Sequence, residues 1–161
     1  MAEKADITKH KGVWVFAEQQ DGKLSKVSLE LLGQGRQLAD KLGEKVTTIL
    51  LGESVKDLAP ELIAYGADKV IVAEHPELKE YRTELYTDII CAEAVKENPE
   101  ILIIGASAIG RDLTPRVSFR LNTGCTADCT ELDIYLEKRF LVSTRPAFGG
   151  NVMATILCPE H

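Results

Sequence analysis

The sequence has little of what a disulfide framework, a zinc site or a nucleic-acid-binding surface needs. It contains 4 cysteines in 161 residues, and none of them are spaced C-x-x-C. These thiols are too few to staple a domain of this size, and they form no zinc-site pattern. The 19 basic residues face 25 acidic ones, so the net charge is −6 and no basic cluster could neutralise a run of phosphates. We therefore expect no nucleic-acid partner.

Long apolar runs are also missing. No stretch approaches the ~20 apolar residues that a membrane-spanning helix needs, and residues 1–12 contain no apolar segment of signal-peptide length. We expect no membrane insertion, a cytoplasmic location and reduced thiols. A chain of 161 residues is long enough to bury a core of its own. We expect residues 1–161 to form a single domain.

Short apolar runs alternate with helical patterns as far as residue 104. Runs rich in β-branched residues occupy 13–17, 46–51, 69–73 and 101–104. Apolar residues with helical spacing lie between them: Val27, Leu31, Leu38 and Leu42 before Gly43, and Leu85, Ile89, Ala92 and Val95 before Asn98. Ser54 is a candidate cap for a short helix, and Pro60 suits a first helical turn. The order βαβαβαβ predicts an α/β fold with a mainly parallel, doubly wound sheet.

The stretch from Pro99 to Leu132 combines an apolar run, a glycine-bounded loop and a cysteine-flanked loop. The run at 101–104 is unbroken, which predicts a strand covered on both faces, as in the middle of a parallel sheet. Ligands of open α/β sheets bind outside the carboxyl ends of strands, so we expect a binding surface within Gly105–Arg111. Asp112 is a candidate cap for the next helix. A loop shaped only for capping and docking is the alternative.

Two catalytic or cofactor motifs are excluded at this loop by spacing. A nucleophile elbow needs G-x-S-x-G and a dinucleotide loop needs G-x-G-x-x-G, whereas Gly105 and Gly110 are five positions apart. The histidines lie in the tail, after another strand and at the chain end: His10, His75 and His161. We expect neither a nucleophilic nor an acid–base catalytic site.

Beyond residue 132 the pattern changes to alternation. Apolar residues alternate with polar ones over 132–136 and 140–144, and another apolar run follows Asn151. Tight turns separate these segments. We expect three antiparallel strands added at an edge of the parallel sheet.

Two motifs in this C-terminal part leave alternatives open. Cys125 and Cys129 are spaced C-x3-C and would share one face of a helix, as a redox pair or as small buried residues. Arg145 stands near Phe148 and two glycines, an arrangement that can present a guanidinium on a close-packed surface. A surface hairpin with a solvated arginine explains the same residues.

The segments TGCTADCTELDI, ILIIGASAIGRDLTPRVSFRL and TRPAFGGNVMATI together resemble the N-terminal domain of the alpha subunit of electron-transfer flavoproteins. The resemblance runs from the first strand to Leu157. It implies an α/β fold similar to adenine-nucleotide-hydrolase-like and universal stress folds. In the family, the alpha chain continues into a C-terminal FAD-binding domain, which we expect to be absent from this sequence.

The resemblance also implies partners and cofactors. The domain would pack on a beta subunit and help to form the base on which a flavin domain rotates, delivering electrons to or from an acyl-CoA or other dehydrogenase. The R-P-A-F-G-G-N stretch is similar to the electron-bifurcating branch, known from anaerobic bacteria, in which the beta subunit holds a second FAD in place of AMP. Cofactor contacts would come from Thr126, Arg145, Phe148 and Gly149, with Arg145 near the isoalloxazine.

Two other functions remain compatible with the residues. A free-standing nucleotide-binding stress-type module should bind ATP alone, although its glycine-rich phosphate signature is missing. A small thiol redox protein using Cys125 and Cys129 should lose activity on Cys129→Ser, although the usual C-x-x-C is absent.

Overall fold

A computed structural model describes residues 9–158; residues 1–8 and 159–161, which the single-domain expectation includes, lie outside the described part. The strands and α-helices, in chain order, are β1 (Val13–Ala17), β2 (Gln19–Gln20), β3 (Lys23–Leu24), α1 (Lys26–Leu42), β4 (Val46–Gly52), α2 (Ala59–Ala64), β5 (Lys69–Glu74), α3 (Thr83–Glu97), β6 (Ile101–Ile103), α4 (Ala108–Arg120), β7 (Glu131–Tyr135), β8 (Phe140–Ala147) and β9 (Val152–Cys158). The predicted alternation of strands and helices is confirmed.

The main sheet has the strand order β5-β4-β1-β6, and every neighbouring pair is parallel. The prediction that residues 101–104 form a middle strand is wrong, because within the described chain β6 pairs only with β1 and lies at the edge. Both faces of β6 are nevertheless covered: Ile101 and Ile103 belong to one core cluster, and Leu102 packs against the other. An unbroken apolar run indicates a strand that is buried on both faces, and an edge strand can be buried in this way as well as a central one.

The sheet is doubly wound. Leu38 of α1 and Leu62 of α2 are buried against one face, and Ile90 of α3 and Leu113 of α4 against the other. Gly35 explains how α1 approaches so closely, since a Cβ there would lie 2.8 Å from Cγ2 of Val15. The exclusion of water from both faces is the main stabilising contribution of this fold.

The ends of α1 follow the predicted signals, whereas the start of α2 does not. Ser25 caps α1 by accepting a hydrogen bond from the Ser28 amide at 3.2 Å, and Gly43 ends it with φ +69°. Ser54 is not a helix cap: its φ is +56°, and a 3₁₀ turn at Lys56–Leu58 comes before α2. Pro60 lies in the first turn of α2 as predicted.

Helix α3 ends at Asn98 as predicted, and the predicted Leu85 and Ile89 pack partly buried against the core, but the most buried face is rotated from the predicted one. The buried residues include Tyr86, Ile90 and Ala94, each one position from a predicted core residue. Val95, predicted to be buried, is 68% exposed. The Tyr86 hydroxyl donates to the Leu78 carbonyl at 3.0 Å, a tertiary contact that fixes the helix rotation.

The three predicted C-terminal strands form an antiparallel sheet in the order β7-β8-β9. They share no hydrogen-bonded strand pair with the parallel sheet, so they do not extend its edge as expected. They pack on α1: Ile134 is buried in the α1 core, Gln34 donates to the Leu132 carbonyl at 3.1 Å, and Lys41 pairs with Asp133 at 2.6 Å. The added sheet is a second layer over α1.

Candidate functional site

The strand order places the topological switch point between β1 and β6. From β1 the chain runs to β4 and β5 on one side, and it then crosses to β6 on the other side. The carboxyl ends of β1 and β6 therefore border the crevice where open α/β sheets bind ligands. The Gly105–Arg111 loop lies there, as predicted.

Polar groups of the chain bond to one another on one side of this crevice, and a cavity of about 400 Å³ that Glu18 and Ile109 help to line lies beside them. Ser107 Oγ accepts a hydrogen bond from the Gly110 amide at 3.0 Å, and donates one to Glu18 Oε2 at 2.5 Å. A Cβ on Gly110 would lie 1.8 Å from the Gly105 carbonyl oxygen, so this glycine serves close packing of α4. Glu18 was not predicted, although its position just after β1 is a usable signal.

Asp112 does not cap α4; Ser107 does. The Asp112 carboxylate accepts hydrogen bonds from Thr83 Oγ1 at 2.5 Å and from the Tyr81 hydroxyl at 2.8 Å. These two donors hold the pKa of Asp112 below its ordinary value, while burial raises the pKa of Tyr81 to about 12. Asp112 thus joins the start of α3 to α4.

The cysteine-flanked loop is irregular, so Cys125 and Cys129 do not have the shared face that a helix would give them. Cys125 is exposed, while Cys129 is half-buried and donates to the Thr126 carbonyl at 3.4 Å. Thr126 Oγ1 lies 4.0 Å from Sγ of Cys158. Within residues 9–158 no three side chains of the metal-binding types form a cluster.

Arg145 projects from β8 beside this loop. Burial raises the pKa of the Cys129 thiol, and the Ser143 hydroxyl and the positive charge of Arg145 oppose that rise. Arg145 is half-buried, yet among residues 9–158 no carboxylate lies within ion-pairing distance of its guanidinium. A desolvated cation favours an acceptor, and in the described chain Arg145 has none.

The β8–β9 hairpin ends in a strained tip. Phe148 has φ +49° and is 85% exposed, and Gly149 and Gly150 follow with φ +70° and +90°. A bulky residue in the left-handed region costs on the order of 1 kcal/mol, and such strain concentrates at functional sites. Two of the four predicted cofactor residues, Phe148 and Gly149, form this tip. The other two, Thr126 and Arg145, both interact with Cys129.

The outer face of the added sheet carries exposed apolar side chains on either side of the Thr144–Thr155 pair. Met153 pairs with Pro146 and Leu157 with Val142 across β8 and β9, and both Met153 and Leu157 are 52% exposed. In the described chain β9 pairs only with β8. Exposed apolar groups of this kind are typical of surfaces that contact another protein.

The fold and site define a class: a doubly wound α/β domain with an appended antiparallel sheet. In the described part of the chain, that sheet carries a cation without an ion-pair partner and an exposed aromatic ring. Residues 13–161 match the family described as "Electron transfer flavoprotein domain". The chain belongs to this family, and its similar relatives include alpha subunits, as the sequence resemblance implied. No helix within residues 9–158 is long and apolar enough to cross a membrane.

The relatives are similar over nearly the whole chain. "Protein FixB" of Clostridium saccharobutylicum is 58% identical over 97% of this chain and 46% of its own length. "Electron transfer flavoprotein subunit alpha" of Clostridium acetobutylicum is 54% identical over 98% and 46%. "Lactate dehydrogenase (NAD(+),ferredoxin) subunit LctC" of Acetobacterium woodii is 41% identical over 96% and 37%. The chain spans about half the length of the first two.

Proposed function

We propose that this chain packs on a beta-type subunit and that Arg145 faces an FAD held mainly by that subunit. The observation that carries the proposal is the half-buried guanidinium of Arg145, which has no ion-pair partner in residues 9–158 and lies on the strand that leads to the exposed ring of Phe148. The exposed apolar side chains of β8 and β9 support a protein partner for the added sheet. The flavin domain of the family is a further expected holder of FAD.

The residues present fit one edge of a flavin. Arg145 offers a cation, Phe148 an aromatic surface, and Gly149 allows close approach of the backbone. Thr126 would add a hydroxyl from the facing loop. FAD would supply the redox centre, and AMP is the alternative occupant of that place in the partner.

Names of relatives support the finer assignment. The LctC name joins NAD(+) and ferredoxin in one enzyme, which supports NADH-linked electron bifurcation. "Acryloyl-CoA reductase electron transfer subunit beta" of Anaerotignum propionicum, 48% identical over 97% of this chain and 48% of its own length, supports an acyl-CoA-type dehydrogenase as the redox partner. We also propose that the protein is located in the cytoplasm.

In this proposal Arg145 acts by charge. A guanidinium beside the flavin edge stabilises negative charge there and so raises the reduction potential. Two unit charges 4 Å apart interact by about 4 kcal/mol at an effective dielectric near 20, and delocalisation and water reduce this to roughly 1–2 kcal/mol. At ~59 mV per tenfold for one electron, the effect is several tens of millivolts.

The test is a spectroelectrochemical titration of the complex between the full-length alpha-type chain and its beta-type partner. Arg145→Ala should lower the potential of the partner-held flavin by several tens of millivolts. Arg145→Lys should recover part of it, because lysine keeps the charge and loses the planar geometry. Lys138→Ala, which removes a cation from the β7–β8 turn, is the control. An intact complex with unchanged potentials would contradict the proposal, and release of AMP without a second FAD would identify the alternative occupant.

A further inference from the structure

We infer that the ion pair between Arg111 and Asp128 is a positioning contact that holds the 124–130 loop over Arg145 and thereby sets the surroundings of the flavin. The inference rests on the proposed function. It assigns a role to two residues that are themselves outside the predicted cofactor contacts.

Arg111 is itself oriented by the switch-point loop. Its Nε donates to the Ala106 carbonyl at 3.1 Å, and its Nη2 lies 2.8 Å from Asp128 Oδ1. The guanidinium is a rigid planar group, so fixing one edge on a backbone carbonyl fixes the direction of the other edge. Asp128 is therefore held at a defined place relative to α4.

Asp128 lies between Thr126 and Cys129 in the loop, and Cys129 is the residue that interacts with Arg145. Its φ is +56°, a left-handed conformation that aspartate tolerates better than most residues. The next residue, Cys129, is close enough to Arg145 for the guanidinium charge to act on its thiol, and it donates to the Thr126 carbonyl. Fixing Asp128 therefore fixes both Cys129 and Thr126.

Other polar contacts of this loop with the rest of the domain are a hydrogen bond between Cys129 and Ser143 and two backbone hydrogen bonds at or next to its ends. Thr123 donates its amide to Ser118, and Thr130 donates its amide to Thr144, both at about 2.8–2.9 Å. Between these ends, within residues 9–158, the Asp128 ion pair is the one salt bridge that the loop makes. The long Thr126–Cys158 contact at 4.0 Å is weak by comparison.

Both partners of the Arg111–Asp128 ion pair are exposed, so the pair can position the loop without contributing much to the stability of the fold. The Arg111 side chain is 64% exposed and that of Asp128 is 43% exposed. Exposed ion pairs add little to the free energy of unfolding, so breaking this one should move the loop and leave the domain folded. A local change with normal stability is the signature of a positioning residue.

The experiment uses three variants of the ion pair: Arg111→Gln, Asp128→Asn and Arg111→Lys. The control is Arg116→Gln, which is on the same helix as Arg111 and breaks an exposed ion pair with Glu84 of α3. Asp128→Asn keeps the residue's size and its tolerance of positive φ. Amide hydrogen exchange is measured for residues 124–130 of the chain. We expect it to rise about threefold in Arg111→Gln and Asp128→Asn, to be partly restored in Arg111→Lys, and to be unchanged in Arg116→Gln.

The second measurement is the potential of the partner-held flavin in the complex. Arg111→Gln and Asp128→Asn should each change its one-electron equilibrium constant about threefold, or about 28 mV at 59 mV per tenfold. If Arg145→Ala shifts the potential but these two variants change neither exchange nor potential, the positioning role is wrong and the proposed function stands. Faster exchange with an unchanged potential also overturns the inference. If Arg145→Ala itself has no effect, the proposed function fails, and the link from Arg111 to the flavin fails with it.

Discussion

Arg139 and Glu100 meet across 39 residues of chain and join the two sheets. Arg139 Nη2 lies 2.8 Å from Glu100 Oε2, and Nε donates to Oε1 at 3.2 Å. The same guanidinium reaches the Leu42 carbonyl and the Glu44 carboxylate, each at 3.2 Å. The hydrogen bonds to Glu100 raise the pKa of Arg139 above its ordinary value. One side chain in the β7–β8 turn thus anchors the added sheet to the end of α1 and the start of β6.

Arg139→Ala should lower the free energy of unfolding by about 1–2 kcal/mol, because the partner carboxylates lose a charged donor. The side chains of Glu100 and Glu44 are 11% and 21% exposed, so water replaces that donor incompletely. Urea unfolding measures the change, with Lys96→Ala, whose side chain is 67% exposed, as the control. A loss of unfolding free energy no larger than that of the control would show that the contacts of Arg139 do not stabilise the domain.

Two glycines form a matched test of packing. Gly110→Ala places a Cβ 1.8 Å from a backbone oxygen, and we expect a loss of at least about 3 kcal/mol. Gly33→Ala, in α1 with nothing within 4 Å of the added Cβ, should gain about 0.5–1 kcal/mol from helix propensity. Thermal unfolding of both variants checks the pair. Similar melting temperatures would contradict the close approach at Gly110.

Asp68 gives a pH dependence with a defined sign. The Val46 amide donates to its carboxylate at 2.8 Å and Arg36 at 2.7 Å, and these contacts hold the pKa of Asp68 below its ordinary value. A lowered folded pKa contributes stability above the unfolded value of about 3.9, and this is lost as the pH falls through the folded value. The stability difference between wild type and Asp68→Asn should therefore be complete above about pH 5 and shrink as the pH falls below about 3.9.

Urea titrations at several pH values measure this difference. Arg36→Gln, which removes the second donor, should act in the same direction as Asp68→Asn and less strongly. A wild-type advantage that grows on acidification would have the opposite sign and would contradict the assignment.

Ala127→Asp should prevent copurification with the beta-type subunit while leaving the circular dichroism of this domain unchanged. Ala127 is exposed in the loop that adjoins Arg145. Interfaces of permanent heterodimers bury about 2,000 Å² or more, and a charge buried near the centre costs several kcal/mol. Ala127→Ser is the control of similar size. Normal complex formation by the aspartate variant would place the interface on another surface.

Local signals in the sequence were sufficient for most element positions and insufficient for one helix face. The runs that became β1, β4 and β5 are apolar and bounded by turn residues, so no long-range information was needed. In α3, apolar residues occur on neighbouring faces, and spacing alone cannot choose between Leu85 and Tyr86. The choice comes from tertiary partners: the Tyr86 ring packs edge-on against Phe16 with centroids 6.3 Å apart.

In the candidate site, too, the contacts between residues close in sequence could be predicted and the long-range contacts could not. Arg145 and Phe148 are close in sequence, so their proximity to one hairpin could be predicted. The Ser107–Glu18 hydrogen bond joins residues 89 positions apart, and the Arg111–Asp128 pair crosses an irregular loop. Neither contact leaves a periodic or motif signal, because each depends on how α4 meets the carboxyl ends of the strands.

The attachment of the added sheet to α1 has a consequence for distance. Electron transfer between two redox centres slows steeply as their separation grows. A domain that holds one centre must therefore keep that centre at a constant position. Here Gln34 and Lys41 hold β7 along the helix, and Arg139 holds the turn beyond it. Sliding the sheet by one residue would break all three contacts at once. In the proposed function, the position of the flavin that Arg145 faces would therefore depend on how firmly α1 holds the added sheet.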